Sequence, residues 1–206
     1  KNPCVVDQTA LIKTTAKRIV WGKFINCGQT CIAPDFIIVH KKIKNELLDE
    51  MINQIKKLFG NNHKNSNSYG RIISKKHLMY LKSLIKNEKI LYGGEFDINE
   101  KFFEPTIVEI NDLGSKVMEG EIFGLILPLY TYTDFNEVDK IVEKYKNPLA
   151  LYIFTNNRSF GEKFLHKHSF GGGAVNDTVV QIINDKLPFG GIGNSRMGKY
   201  HGESTF

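Results

Sequence analysis

Apolar residues recur with a helical period in several stretches of the chain. Over 9–25, Leu11, Ile12, Thr15, Ile19 and Phe24 fall on one stripe and predict an inward-packing helix. The pattern over 42–59 is stronger. Ile43, Leu47, Leu48, Met51, Ile55 and Leu58 share a face, and Gly60 supplies a stop. Ser74 can cap a helix over 74–87 and Asp134 one over 135–145, and a further helix is predicted over 157–168. The stretches between them lack that period. Phe36-Ile-Ile-Val39 is wholly apolar and rich in β-branched residues, which predicts a strand buried on both faces. Further strands are predicted over 90–94, 102–110 (broken at Pro105), 125–133, 149–155 and 173–176. Residues 61–70 read as a polar loop and 187–202 as a glycine-rich one. Strands alternating with helices predict an α/β fold, an open and largely parallel sheet flanked by helices. Neither a repeat nor a linker interrupts the chain, so 1–206 reads as one domain.

Composition narrows the class. With 206 residues, 41% hydrophobic and 24% charged, the chain resembles ordinary globular domains and excludes disordered, collagen-like and disulfide-scaffold classes. The longest apolar run, near 122–132, is broken by Gly124 and Pro128 and falls short of the roughly 20 residues that span a bilayer. The net charge of +6 comes from dispersed lysine doublets, with only Arg18, Arg71, Arg158 and Arg196 offering guanidinium forks. That footprint predicts no nucleic-acid partner. An odd three cysteines (Cys4, Cys27 and Cys31) in a lysine-rich chain without a signal-peptide core predict free thiols and a reducing, cytoplasmic setting. Their spacing matches neither the C-x-x-C pattern nor a zinc site, and no metal is predicted.

Three stretches carry candidate chemistry. In Phe24-Ile-Asn-Cys-Gly-Gln-Thr-Cys-Ile-Ala-Pro-Asp35 a helix ends near Asn26 and Gly28 can take a positive φ. Cys31 then sits in a tight connection before a buried strand, where it can be presented at the top of the sheet, the usual place for α/β sites. Its own N–H can stabilise an oxyanion on a bound carbonyl. A lone cysteine more commonly packs as a small hydrophobe, and no histidine lies nearby to form a dyad. In Glu119-Gly-Glu-Ile-Phe-Gly124, Glu121 can accept hydrogen bonds from a ribose diol and Phe123 can pack on a flat ring. Read singly, a solvated carboxylate and a core aromatic explain them better. In Leu187-Pro-Phe-Gly-Gly-Ile-Gly-Asn-Ser-Arg196 the Gly191-x-Gly193-x-x-Arg196 spacing imitates a dinucleotide fingerprint. It fails at its third glycine and lacks the following helix and acid.

Together, Gly28-Gln-Thr-Cys-Ile-Ala-Pro34, Glu121-Ile-Phe-Gly124, Asn176-Asp-Thr178, Leu187-Pro-Phe-Gly-Gly-Ile-Gly-Asn-Ser195 and Tyr200-His-Gly202 occur in an order that resembles the aldehyde dehydrogenase superfamily, in its class 3 or fatty-aldehyde branch. Cys31 lies 30 residues after Lys1 and Glu121 lies 90 after Cys31, which fits that family without gaps. The resemblance implies NAD(P)-dependent oxidation of an aldehyde to a carboxylic acid. Cys31 would be the nucleophile that forms a thiohemiacetal and then, once hydride has passed to NAD or NADP, a thioester that water hydrolyses. Glu121 would hold the cofactor ribose, Phe123 would lie beside the nicotinamide, and Asn176 and Phe189 would line the substrate pocket.

The family's general-base glutamate precedes the lysine that Lys1 matches, as does its nucleotide-binding domain. Its assembly segment follows Phe206. The resemblance therefore covers the catalytic domain alone, and the expectation is a fragment inactive by itself, cut from a homodimeric enzyme whose membrane association depends on a tail outside 1–206. A truncated-gene remnant, or a partner of a full-length subunit, is the alternative. Thiol-dependent ester cleavage at Cys31 is a third reading. Two residues depart from the family pattern: Leu125 stands for a usual proline, and Arg196 for a glycine at a place where positive φ would strain it.

Overall fold

The computed structural model describes residues 1–66, 68–195 and 198–201. Arg196, whose backbone the sequence marks as a departure, lies outside them. Pro3–Val6 forms strand β1, buried at every residue and announced by no sequence pattern. Helix α1 (Ile12–Phe24), β2 (Phe36–His40), α2 (Lys44–Phe59) and α3 (Lys75–Ile85) follow. Next come β3 (Lys89–Tyr92), β4 (Phe96–Asp97), β5 (Phe102–Phe103) and β6 (Thr106–Ile110). The second half holds α4 (Lys116–Glu119), β7 (Ile126–Tyr132), α5 (Phe135–Lys144), β8 (Ala150–Phe154), α6 (Arg158–Lys167) and β9 (Gly172–Val175).

The main sheet has the order β3-β6-β7-β2-β1-β8-β9. Every neighbouring pair is parallel except β3 with β6 at one edge, in keeping with the predicted largely parallel sheet. The unforeseen β1 joins the two halves, pairing with β2 on one side and β8 on the other. Strand β2 is buried throughout, as its apolar run requires. Pro105 does break its segment. β5 leaves to pair with β4, while β6 enters the main sheet.

The capping residues act as their chemistry predicts. Ser74 Oγ accepts from His77 N, and Asp134 with Glu137 completes a capping box on α5. Helix α1 differs from expectation at its start. Asp7 accepts from Thr9 and holds the preceding residues in a turn, so the helix begins at Ile12 and Leu11 is 62% exposed rather than inward. The tail is also more ordered than a loop. Phe189–Gly190 (β10) pairs antiparallel with Lys199–Tyr200 (β11), and the rings of Phe189 and Tyr200 meet edge to face with 5.4 Å between centroids. Among the described residues no helix is long and apolar enough to cross a membrane.

The core buries several weak acids. Burial pushes the Cys4 thiol and the Tyr69, Tyr132 and Tyr152 phenols above their ordinary values of 9.0 and 10.0. The folded chain keeps these protons while the unfolded chain releases them. Their stabilisation is therefore complete below about pH 9 and declines above it, by up to about 1.4 kcal/mol per pH unit for each fully protected group. Lys23 works the other way. Burial pulls its ammonium from 10.5 to about 8, so between those values its contribution grows as pH rises. Burial lowers the Lys1 ammonium in the same sense, but the four acids outweigh these two bases, so urea unfolding midpoints should hold near pH 8 and fall steeply above about pH 10. A midpoint unchanged up to about pH 11 would contradict this reading of the core.

Candidate active site

Helix α1 ends at Phe24, and the chain then takes left-handed conformations at Asn26 (φ 51°), Cys27 (φ 55°) and Gly28 (φ 69°). Gly28 is needed there twice over. Its φ is positive, and a Cβ at that position would collide with the Gly124 carbonyl. This backbone contact lays the Asn26–Gly28 segment against the Glu121–Gly124 stretch. Cys27 turns inward, with its sulfur against Gly70 and its thiol pushed up by burial. All three cysteines are free, Cys4 and Cys27 are buried, and Cys31 is exposed. Of the three, only Cys31 is presented as a nucleophile must be.

Cys31 occupies a turn closed by Ala33 N donating to Thr30 O at 3.1 Å. The buried Asn2 amide holds that turn from below, donating to Cys31 O at 2.8 Å and to Ala33 O at 3.0 Å. Its oxygen accepts from Ala150 N at 2.9 Å, the first residue of β8. The buried Tyr152 hydroxyl donates to Ile32 O at 2.8 Å. Every carbonyl from Thr30 to Ala33 thus has a donor, whereas among the described residues the Cys31 N–H has no acceptor. A turn whose carbonyls are all tied inward leaves an N–H beside an exposed thiol, the pairing an oxyanion site needs.

Asp35 couples this turn to the second motif. Its two oxygens accept from Asn2 N and Ile122 N, each at 3.1 Å, with Lys1 Nζ at 4.0 Å. Ile122 is buried, while its neighbours Glu121 and Phe123 face outward, Phe123 at 41% exposure and φ 50°. His77 Nε2 lies 2.7 Å from Phe123 O, bracing the segment from α3. An outward carboxylate and an outward aromatic, two residues apart on an anchored backbone, fit a ribose diol and a flat heteroaromatic ring.

These groups lie at the amino ends of the parallel strands. Cys31 precedes β2, Asn2 precedes β1 and Glu121 precedes β7. That corrects the expectation of a site at the carboxyl ends. Phe189 shares the amino end, because β10 passes so close to the starts of β8 and β9 that a side chain at Gly171 would strike Gly190 O and Leu149 O. Asn176 does not share it. It follows β9 at the carboxyl end, about 15 Å along the sheet at 3.3 Å per residue. Its amide pairs with Thr155 N and O at 2.8 and 2.9 Å, so it closes the β8–β9 ladder instead of meeting Cys31.

The chain after Asn176 folds back and brings other residues forward. Thr178 Oγ1 donates to Arg18 O, and Val179 N and Gln181 Nε2 both donate to Tyr152 Oη. Asn2, Tyr152 and Gln181 thus support the site although no motif flagged them, and Asp35, the last residue of the first stretch, does so in a role the sequence did not assign. Leu125, the departure from the family's usual proline, is fully buried, and its carbonyl accepts from Thr106 N at 2.8 Å as the β6–β7 ladder opens.

Comparison with known proteins agrees with this geometry. The chain is 42% identical to 4,4'-diaponeurosporen-aldehyde dehydrogenase of Staphylococcus aureus, covering 100% of this chain and 45% of the relative. It is 40% identical to the dimeric NADP-preferring aldehyde dehydrogenase of Rattus norvegicus, again covering 100% of this chain and 46% of the relative. The solved substrate-bound state of Staphylococcus aureus AldH superimposes with a TM-score of 0.97 at 41% identity, over 100% of this chain and 45% of that one. The NADP complex of glyceraldehyde-3-phosphate dehydrogenase GapN from Methanocaldococcus jannaschii does so with 0.85 at 28% identity, over 96% and 44%. The chain therefore spans about half the length of the curated relatives it matches. The sequence model of the aldehyde dehydrogenase family matches residues 1–206, and with the fold and the exposed thiol turn in accord, this chain belongs to the aldehyde dehydrogenase family.

Proposed function

We propose that this chain supplies the catalytic half of an NAD(P)-dependent aldehyde dehydrogenase that converts an aldehyde to a carboxylic acid. The observation that carries the proposal is the exposed Cys31 thiol beside its own unengaged N–H, on a turn whose carbonyls are all bonded. The Cys31 sulfur attacks the aldehyde carbon and forms a C–S bond, and the Cys31 N–H receives the charge that develops on oxygen. Glu121 would hold the cofactor ribose through its diol, Phe123 would pack on the nicotinamide, and Phe189 would wall the substrate side. NAD(P), when bound, supplies the hydride acceptor that lets the thiohemiacetal become a thioester. Water then releases the acid and restores the thiol.

The relative named as dimeric and NADP-preferring supports a homodimer and either nicotinamide dinucleotide as cofactor. The deciding experiment incubates the full-length gene product with NAD or NADP and a panel of short, aromatic and long-chain aldehydes. Aldehyde-dependent formation of reduced nicotinamide is expected. Its absence across the panel, in protein shown to be folded, sinks the proposal.

A further inference from the structure

We infer that Tyr152 is a positioning residue for acyl transfer at Cys31, holding the backbone so that the Cys31 N–H meets the oxyanion. The inference rests on the reading of Cys31 as the nucleophile. Tyr152 stands in the middle of β8, paired with Cys4 on one side and Ala174 on the other, and is fully buried. A phenol has one proton, and Ile32 O can only accept, so that proton goes to Ile32 O at 2.8 Å. The two groups that reach the hydroxyl from the other side, Val179 N at 3.2 Å and Gln181 Nε2 at 2.8 Å, are both donors. They leave the hydroxyl no other direction for its proton, and so aim it at the turn.

Two further observations show that this junction is over-determined. Val179 has φ 67°, a left-handed conformation costly for a β-branched residue, and it presents its N–H to Tyr152 there. Gln181 Oε1 is buried without a hydrogen-bond partner among the described residues, a cost accepted while its Nε2 serves the phenol. Asn2 fixes the Cys31–Ile32 peptide through Cys31 O, and Tyr152 fixes the next peptide through Ile32 O. The Ile32–Ala33 peptide that Tyr152 holds also carries the Ala33 N–H, which donates to Thr30 O at 3.1 Å, and Thr30 O shares its peptide plane with the Cys31 N–H, so the direction of that N–H is set through linked planes.

Two reactions of one thiol separate positioning from general integrity. With p-nitrophenyl acetate the Cys31 thiolate attacks the carbonyl carbon, a C–S bond forms, and the carbonyl electron pair moves to oxygen. That pair then returns and expels p-nitrophenolate, so the oxyanion needs the N–H. With iodoacetamide, sulfur displaces iodide at a saturated carbon and no oxyanion forms. Both rates are read at Cys31 by peptide mass spectrometry.

Tyr152→Phe should slow acylation about tenfold or more while alkylation stays within about twofold, since only the first uses an oriented donor. Tyr132→Phe is the matched control. Its hydroxyl is also buried, has no partner among the described residues, and lies at the carboxyl end of β7. It should change neither rate. If Tyr152→Phe lowers both rates together, or neither, the inference is wrong. If that variant does not fold, Gln181→Leu decides. It keeps the Tyr152–Ile32 bond but removes one steering donor, so it should lower the acylation-to-alkylation ratio, and an unchanged ratio overturns the inference. Ester labelling of the unmodified chain anywhere but Cys31 would instead defeat the nucleophile reading itself.

Discussion

Cys31→Ser should lower ester cleavage, and aldehyde oxidation by the full-length product, by at least about three orders of magnitude, because a hydroxyl without an adjacent base is a far weaker nucleophile than a thiolate. Among the described residues no histidine or carboxylate is bonded to Cys31 to activate a serine in its place, and the turn itself enters its hydrogen bonds through backbone groups alone. The same substitution should leave stability within about 0.5 kcal/mol, since the side chain is exposed and its sulfur fills no core space. Stopped-flow ester kinetics and urea unfolding on the same preparation test both halves. Cys4→Ser and Cys27→Ser should show the reverse: both thiols are buried, so stability falls while chemistry at Cys31 persists. A Cys31→Ser protein retaining more than about a tenth of the activity would place the nucleophile elsewhere.

Asn2→Leu should be the most destabilising of the site substitutions. The amide is buried, donates to Cys31 O and Ala33 O, and accepts from Ala150 N. Leucine of similar volume leaves three backbone groups without partners, at about 1–3 kcal/mol each, for a total of about 3–9 kcal/mol. That is a large share of the roughly 5–15 kcal/mol by which native proteins are stable. It should also loosen the Cys31 turn, because the same amide ties the turn to β8. Equilibrium unfolding in urea measures the loss, and a value under about 1 kcal/mol would mean that water replaces the amide at these groups.

Elements with long periodic patterns were legible. Helix α2 holds five of the six apolar residues of its stripe, with Ile43 at its N-cap and a glycine stop, and it forms almost where the pattern places it, although Leu58 at its last turn is exposed rather than inward. Helix α5 was legible from Asp134, which makes the predicted cap. Strand β1 was not legible, because its four residues, unlike Phe36–Val39, hold a proline and a cysteine and just two β-branched side chains. The β10–β11 pair was hidden for a different reason: its two-residue strands lie among glycines, and tertiary contact at the starts of β8 and β9 holds them. In the proposed site, Cys31, Glu121, Phe123 and Phe189 are singled out by motifs. Asn176 was given a pocket role that its place at the far end of β9 does not support.

By itself the sequence determined the fold class, the cysteine-bearing turn and the family, since periodicity, glycine chemistry and short ordered motifs are local properties of the chain, while the exposure of Cys31 came from the tertiary structure. Only the tertiary structure decided which end of the sheet carries the site and what holds it there. Asn2 meets Ala150 across 148 residues and Tyr152 meets Ile32 across 120. In the sequence an asparagine beside a proline reads as a turn residue, and a tyrosine in an apolar strand reads as core. Their roles arise because burial forces each polar group to find a partner, and which partner it finds depends on where the folded sheet brings the distant segments together.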